Sequence, residues 1–327
     1  MMMIRTYMGE QPSAIVDGFS EADSRFGEIG VSGTKTLRLV GSGSSLNCCL
    51  MVARFIGDAQ VVPPADFLAG QPVKRDGSEL VVILTQSGAS TTSVATAARA
   101  REEGARAVVV TANAGSAAAG LGLPTILMPI GDEPIGPKTK GYAASCAVLL
   151  ALAKHRGAAI AAPERAAFDE ALQAAWERAG RLAPALDGLD YVLAAGADAG
   201  HGTALEGSLK IAEIAGVPTA AFSMEETLHG RLHGTTRDSL VLPIVSDEAT
   251  RMQAQRIAAA LAPHEVRVEP VSAAATRGLP APWGMLAATF FFQALAVELC
   301  LRRGRKPDLM RYPGLTRHLD IKTDATL

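Results

Sequence analysis

Short runs of aliphatic and β-branched residues alternate with helical stretches along most of this 327-residue chain. This alternation constrains the fold most, because strands separated by helices form parallel βαβ units. In the first half, the predicted strands are 37–40, 60–62, 80–84, 107–110 and 125–128, and the predicted helices are 47–55, 91–103 and 139–154. The sequence therefore predicts an α/β fold with parallel sheets.

The alternation restarts after a segment at 156–164 that is rich in Ala, Gly and Pro. The second half has predicted strands at 191–196, 241–245 and 266–268, and predicted helices at 166–179, 203–215, 250–261 and 286–301. The segments 62–68 and 222–228 also occupy similar places in the two halves. We predict a tandem repeat of one α/β domain, with chance similarity as the alternative. The expected boundaries are an N-terminal helical segment at 1–35, a first domain at 36–156, a helical linker at 157–185, a second domain at 186–305 and a tail at 306–327.

Charge and cysteine content exclude some classes of function. The chain has 31 basic and 33 acidic side chains, a net charge of -2 and no long basic run, which argues against binding to nucleic acid. The four cysteines stand among apolar residues without C-x-x-C spacing, so they predict buried thiols in a reducing compartment. Because the N-terminus also lacks an apolar signal segment, we expect a cytoplasmic protein.

One stretch, residues 282–301, is apolar enough to resemble a membrane span and precedes a basic segment. Gln293 and Glu298 lie inside it, and an ionisable side chain in lipid needs a special partner. We therefore predict a buried core helix and no membrane partner.

Two loops dense in hydroxyl groups follow predicted strands, at 41–45 (Gly-Ser-Gly-Ser-Ser) and 85–92 (Thr-Gln-Ser-Gly-Ala-Ser-Thr-Thr). Ligands collect at the carboxyl ends of parallel strands, and glycine with several O–H donors suits a phosphate monoester. A dinucleotide fingerprint is incomplete because Leu46 follows the serines, and a P-loop is absent. The alternative is that both loops are turns and helix caps, but two such loops favour a small phosphorylated ligand.

Three charged residues, Glu206, Lys210 and Glu213, are spaced i, i+4 and i+7 in an otherwise apolar predicted helix. If the helix is buried, a desolvated carboxylate there could accept a carbon-bound proton. An exposed, ion-paired stripe is the alternative, and the spacing alone favours it.

His229 lies further along the same half, and a solitary histidine is more often structural or on the surface than catalytic. With His233 it has the i, i+4 spacing of a zinc site. Gly230 and Gly234 disfavour a regular helix there, and no third ligand is evident. We expect no metal.

The motifs at 40–45, 84–90, 136–142, 204–210 and 229–230 together resemble the sugar isomerase (SIS) domains. The chain is similar to the paired isomerase domains of glucosamine-6-phosphate synthase, and to relatives without a glutaminase domain such as fructosamine-6-phosphate deglycases and aminosugar-phosphate deaminases. The resemblance implies two tandem SIS domains, each a flavodoxin-like αβα sandwich with a parallel sheet.

The resemblance also implies roles for individual residues. It assigns the sugar phosphate to Ser45, Thr85, Gln86, Ser87 and Ser90. It assigns proton transfer between C1 and C2 to Glu213, supported by Glu206 and Lys210. His229 matches a histidine implicated in ring opening that typically reaches the neighbouring subunit, so a homodimer is implied.

Two residues depart from the synthase pattern. Arg317 stands where the synthase has the lysine that forms a Schiff base, and an arginine stays protonated and cannot form that imine. Lys138 stands where the synthase has a serine close to the sugar, and it could bind an acidic group of the substrate. Both changes disfavour the synthase reaction and leave proton transfer intact.

We therefore expect a phosphosugar isomerase-type enzyme acting on a hexose 6-phosphate or its amino derivative. Isomerisation, deamination and fructosamine-6-phosphate deglycation share the same proton transfer, which needs neither a nucleotide nor a redox cofactor. The alternative is a non-catalytic sugar-phosphate sensor. Fewer than 40 residues precede the first predicted strand, and they contain no basic recognition helix, which disfavours a regulator acting on DNA.

Overall fold

The computed structural model describes residues 2–70, 72–272 and 279–323 and divides into two compact units. The first unit comprises Ser13–Pro134, Lys140–Pro163 and Tyr312–Leu327, and the second comprises Met1–Pro12, Ile135–Thr139 and Glu164–Arg311. Helix α1 (Met3–Ile29) contributes residues to both units. The predicted tail beyond residue 323 lies outside the described residues.

The first unit contains a five-stranded parallel sheet in the order β2-β1-β3-β4-β5. Its elements are β1 (Thr36–Val40), α2 (Ser44–Ala53), β2 (Ala59–Val62), α3 (Pro64–Ala69), β3 (Glu79–Leu84), α4 (Thr91–Glu102), β4 (Arg106–Thr111), β5 (Thr125–Leu127) and α5 (Lys140–His155). Strand β3 is central and buried at every position, which fits its run of aliphatic residues. The predicted parallel α/β fold is confirmed.

The second unit contains a parallel sheet in the order β10-β8-β6-β7, with β9 also pairing with β8. Its elements are α6 (Arg165–Leu182), β6 (Tyr191–Gly196), α7 (Ala199–Lys210), a π-helical segment (Ile211–Ala215), β7 (Thr219–Ser223), α8 (Met224–Leu228), β8 (Ser239–Val245), α9 (Glu248–Leu261), β9 (Arg267–Val268), β10 (Val271–Ser272) and α10 (Trp283–Arg302). The sequence pattern missed β7, whose small residues are only half-buried and form no aliphatic run. The single helix predicted at 203–215 instead begins at Ala199 and changes to π-helical geometry after Lys210.

Helix α10 forms much of the core of the second unit. It is the one helix in the described residues long and apolar enough to cross a membrane, yet 89% of its apolar window is buried. Phe168 of α6 meets Trp283 and Phe290 in edge-to-face contacts, with ring centroids 5.8 and 6.4 Å apart. The prediction of a buried core helix is confirmed.

Candidate active site

The first hydroxyl loop, between β1 and α2, is a tight turn that needs glycine at two positions. A Cβ on Gly41 would lie 2.9 Å from the Cβ of Ser45, and Gly43 has φ +57°. The Ser45 N–H donates to the carbonyl of Ser42 at 3.1 Å. Ser45 is therefore the second residue of α2, at the positive end of the helix dipole, which favours an anion.

The second hydroxyl loop, between β3 and α4, is held by backbone hydrogen bonds. The carbonyl of Gln86 accepts from the Ala112 N–H at 2.8 Å and the Thr111 hydroxyl at 3.0 Å. Gly88 has φ +65°, and a Cβ there would collide with Ser116. Hydrogen bonds to the end of β4 and a close approach to Ser116 thus hold this loop.

Because β1 and β3 are adjacent parallel strands, both hydroxyl loops leave the same edge of the first unit's sheet. This places the predicted phosphate residues at one edge: Ser45, Thr85, Gln86, Ser87 and Ser90. Ser90 stands at the N-cap of α4, but its side chain makes no capping hydrogen bond. Helix capping therefore does not account for Ser90.

A buried carboxylate that the sequence analysis missed positions one of these residues. Glu133 accepts a hydrogen bond from the Gln86 amide at 3.2 Å. It also accepts the N–H groups of Lys140 and Gly141, at 3.2 and 3.1 Å, at the start of α5. The sequence feature that could have indicated Glu133 is its place shortly before a long helix, because the dipole at a helix N-terminus favours a negative charge.

The second unit brings Glu206, Lys210 and Glu213 together, with Glu206 and Lys210 buried and Glu213 partly exposed. The side chains of Lys210 and Glu206 are 1% and 0% exposed, and Lys210 Nζ lies 3.4 Å from Glu206 Oε1 and 2.5 Å from Glu213 Oε2. The alternative that the spacing favoured, an exposed stripe of ion-paired residues, is therefore wrong. Packing explains the difference, because α7 lies against α10 so closely that a Cβ on Gly207 would collide with Phe292.

The π-helical segment sets the position of Glu213. Burial alone would lower the pKa of Lys210, but the carboxylates of Glu206 and Glu213 outweigh it, and the pKa is raised. Lys210 is therefore an ammonium shared by two carboxylates. Glu213, with 24% of its side chain exposed, is the member of this trio that a ligand can reach. π-helical turns are rare and often lie at functional sites.

The remaining predicted residues lie elsewhere. His229 is 68% exposed, and its Nε2 is 3.1 Å from Glu225 Oε1. Helix α8 ends at Leu228 and Gly230 has φ +91°, so His229 and His233 do not share a helix. Across the described part of the chain, no three His, Cys, Asp or Glu side chains cluster as metal ligands.

Lys138 and Arg317 are the two residues that depart from the synthase pattern. Lys138 belongs to the second unit and is half-buried. The side chain of Arg317 lies outside the described residues.

A lysine that the sequence analysis missed contacts the second hydroxyl loop. In the first unit, Lys322 Nζ donates to Ser87 Oγ at 3.0 Å. No sequence signal pointed to this lysine, because it lies 235 positions from Ser87.

Residues 32–155 match the model of the SIS domain. Glutamine–fructose-6-phosphate aminotransferase (isomerizing) of Lactiplantibacillus plantarum is 25% identical over 247 residues, covering 68% of this chain and 40% of that protein. The same enzyme of Leifsonia xyli subsp. xyli is 29% identical over 178 residues, covering 50% of this chain and 29% of that protein. The chain thus spans less than half of either relative.

Solved structures share the fold at low sequence identity. A provisionally named phosphosugar isomerase from Clostridium difficile 630 has a TM-score of 0.83 at 20% identity, with 99% of both chains covered. Tagatose-6-phosphate ketose/aldose isomerase from Escherichia coli has a TM-score of 0.80 at 18% identity, with 94% of both chains covered. Glucosamine-6-phosphate deaminase from Thermotoga maritima has a TM-score of 0.74 at 18% identity, covering 93% of this chain and 98% of that one. Residues 32–155 thus match a SIS domain, and these solved structures share the fold of the chain.

Proposed function

We propose that the chain is a phosphosugar isomerase-type enzyme that moves a proton between C1 and C2 of an open-chain hexose 6-phosphate or amino-hexose 6-phosphate. The observation that carries this proposal is the trio of Glu206, Lys210 and Glu213, in which two buried side chains hold a partly exposed carboxylate. Lys210 orients the Glu213 carboxylate, and its partial accessibility lets it reach a carbon-bound proton, as a general base must. The names of the relatives, which include isomerases and a deaminase, support the same reaction class.

In the proposed mechanism, Glu213 accepts the proton from the carbon beside the carbonyl, the electron pair forms a C1–C2 double bond, and the carbonyl oxygen takes a proton from solvent, which gives an enediol or enolamine. The carboxylic acid of Glu213 then returns its proton to the former carbonyl carbon, and the hydroxyl or amine on the other carbon releases a proton to solvent as it becomes C=O or C=N. Lys210 and Glu206 hold Glu213 in place and balance its charge. His229 assists ring opening, and the two hydroxyl loops bind the phosphate.

We also propose that the second unit is a second SIS domain. Its strand order β7-β6-β8, followed by the edge pair β9 and β10, repeats the order β2-β1-β3-β4 of the first unit. In both units the second strand leads into a short helix, α3 or α8. The proposed boundaries are 36–156 and 186–305, with a linker at 157–185, an N-terminal segment at 1–35 and a tail at 306–327.

A homodimer is part of the proposal, because His229 is exposed on the surface of the second unit and would act in the neighbouring subunit. Co-expressed Glu213→Gln and His229→Asn chains, each inactive alone, are then expected to recover part of the activity. No recovery in a purified mixed dimer would contradict a shared site. We also propose a cytoplasmic location, because a reducing compartment would keep the four buried thiols reduced.

Proton exchange tests the reaction directly. The protein is incubated in deuterated water with fructose 6-phosphate, glucosamine 6-phosphate or a fructosamine 6-phosphate, and loss of the C2 proton signal, or of the C1 signal for the ketose substrates, is followed by NMR. Glu213→Gln is expected to slow exchange by about 10²–10⁴-fold, the usual contribution of a positioned acid or base. Glu248→Gln, on the exposed start of α9, is the matched control and should leave exchange unchanged.

The outcomes separate the alternatives. Exchange in Glu213→Gln at the wild-type rate would show that Glu213 is not the base. Tight binding of a sugar phosphate, without proton exchange in any of the sugar phosphates, would favour the non-catalytic sensor. Detection of released ammonia or amine separates deamination and deglycation from isomerisation. If Lys138→Ser loses a preference for substrates that carry a further acidic group, the result would support binding of that group by Lys138. The imine reaction of the synthase is not proposed, because Arg317 cannot form it.

A further inference from the structure

The described C-terminal residues of the first unit lie along the second hydroxyl loop. The Thr91 N–H donates to the carbonyl of Ile321 at 3.2 Å, and the Thr323 N–H donates to the carbonyl of Ala89 at 2.8 Å. We call residues 320–323 the C-terminal strap. Its main chain, and not the Lys322 side chain, makes these bonds.

The strap brings an ammonium group to a loop that has no charge of its own. Neither 41–45 nor 85–92 contains lysine or arginine. Lys322 Nζ donates to Ser87 Oγ at 3.0 Å, and the backbones of Lys322 and Ser90 form an antiparallel bridge. Both serines belong to the proposed phosphate site.

No carboxylate of the described residues forms an ion pair with Lys322. Lys322 is an exposed residue, and its partial desolvation beside the loop lowers the pKa of its ammonium. An ammonium that loses water without gaining an anion is suited to bind one. A charge-assisted hydrogen bond to phosphate is stronger than the bond it now makes to a neutral hydroxyl.

We propose that Lys322 is the cation that binds the substrate's phosphate, beside the hydroxyl groups of the two loops. The inference rests on the proposed function and deepens it, because an ammonium at this place selects phosphorylated sugars over unphosphorylated ones. The strap is therefore a part of the phosphate site that the loops alone do not supply.

Binding of inorganic phosphate to the full-length chain tests the inference, measured by ³¹P NMR titration. Lys322→Met should weaken binding by about tenfold or more, which is about 1.4 kcal/mol. Lys322→Arg, which keeps the charge, should stay within about threefold of wild type. Lys35→Met is the matched control, because Lys35 is exposed and precedes β1, at the opposite end of that strand from the first loop.

Each outcome is informative. Equal phosphate affinity in wild type and Lys322→Met would overturn the role of Lys322 and leave the proposed function standing. Equal weakening by Lys35→Met would also overturn it, because the effect would then follow net charge. A wild-type chain that binds no phosphate would overturn both this inference and the phosphate role of the loops. The unchanged main-chain bonds of the strap should keep the melting temperature of Lys322→Met at the wild-type value.

Discussion

Replacing Lys210 with methionine tests whether the trio in the second unit is an electrostatically coupled, buried group. The substitution keeps most of the side-chain volume, so packing against α10 should change little. It removes the ammonium from Glu206, which is fully buried, and from Glu213. The cost should therefore be electrostatic.

The expected magnitude follows from burial. Removing one partner of a buried ion pair costs about 3–5 kcal/mol, because the other charge loses its compensation without regaining water. A domain stability of about 5–15 kcal/mol makes that a large fraction of the total. The double variant Glu206→Gln/Lys210→Met should recover part of the loss, since it removes the uncompensated charge.

Urea unfolding followed by tryptophan fluorescence is the appropriate assay. Both tryptophans, Trp176 and Trp283, belong to the second unit, so the signal reports on the unit that contains Lys210. Arg251→Met is the control, because Arg251 forms an exposed pair with Glu248 and its loss should leave unfolding unchanged. If Lys210→Met unfolds at the same urea concentration as this control, the electrostatic reasoning is wrong.

The same variant predicts a change with pH. The pKa of Lys210 is raised above its ordinary value of 10.5. Its pairing therefore stabilises the folded chain below that pH, and the contribution is lost as pH rises through the folded-state pKa. Wild type should lose stability more steeply than Lys210→Met above pH 10.5. Parallel curves would contradict the raised pKa.

Two glycine substitutions provide further predictions. Gly88→Ala should destabilise by about 3 kcal/mol, from a positive φ and a collision with Ser116, whereas Gly77→Ala, with φ +73° and open space, should cost only about 1–2 kcal/mol. Equal costs in urea unfolding followed by circular dichroism, which also reports on the first unit, would contradict the close approach of Gly88 to Ser116. Gly207→Ala should separate α7 from α10 at Phe292 and slow the proton exchange of the trio, and an unchanged exchange rate and unfolding midpoint would contradict that packing.

Most strands could be predicted because burial and side-chain chemistry coincide in them. Strand β3 is covered on both faces and therefore consists almost entirely of aliphatic residues. Strand β7 has the same kind of pairing, with β6, but its residues are small and half-buried. Backbone hydrogen bonding does not depend on the side-chain pattern, so β7 could not be predicted from the sequence.

The sequence by itself determined the groups available for chemistry. It set the hydroxyl loops after β1 and β3, and the spacing that puts Glu206 and Lys210 on one helical face. Helical geometry depends on residues a few positions apart, so that adjacency follows from local sequence.

Only the tertiary structure decided that this face is buried and that Lys322 reaches Ser87. Spacing favoured an exposed stripe, yet α10 covers α7, and a lysine 235 positions away adds a charge to the second loop. The physical reason is that desolvation and pairing of a charge depend on whichever distant segment packs against it, and that information is spread over the whole chain.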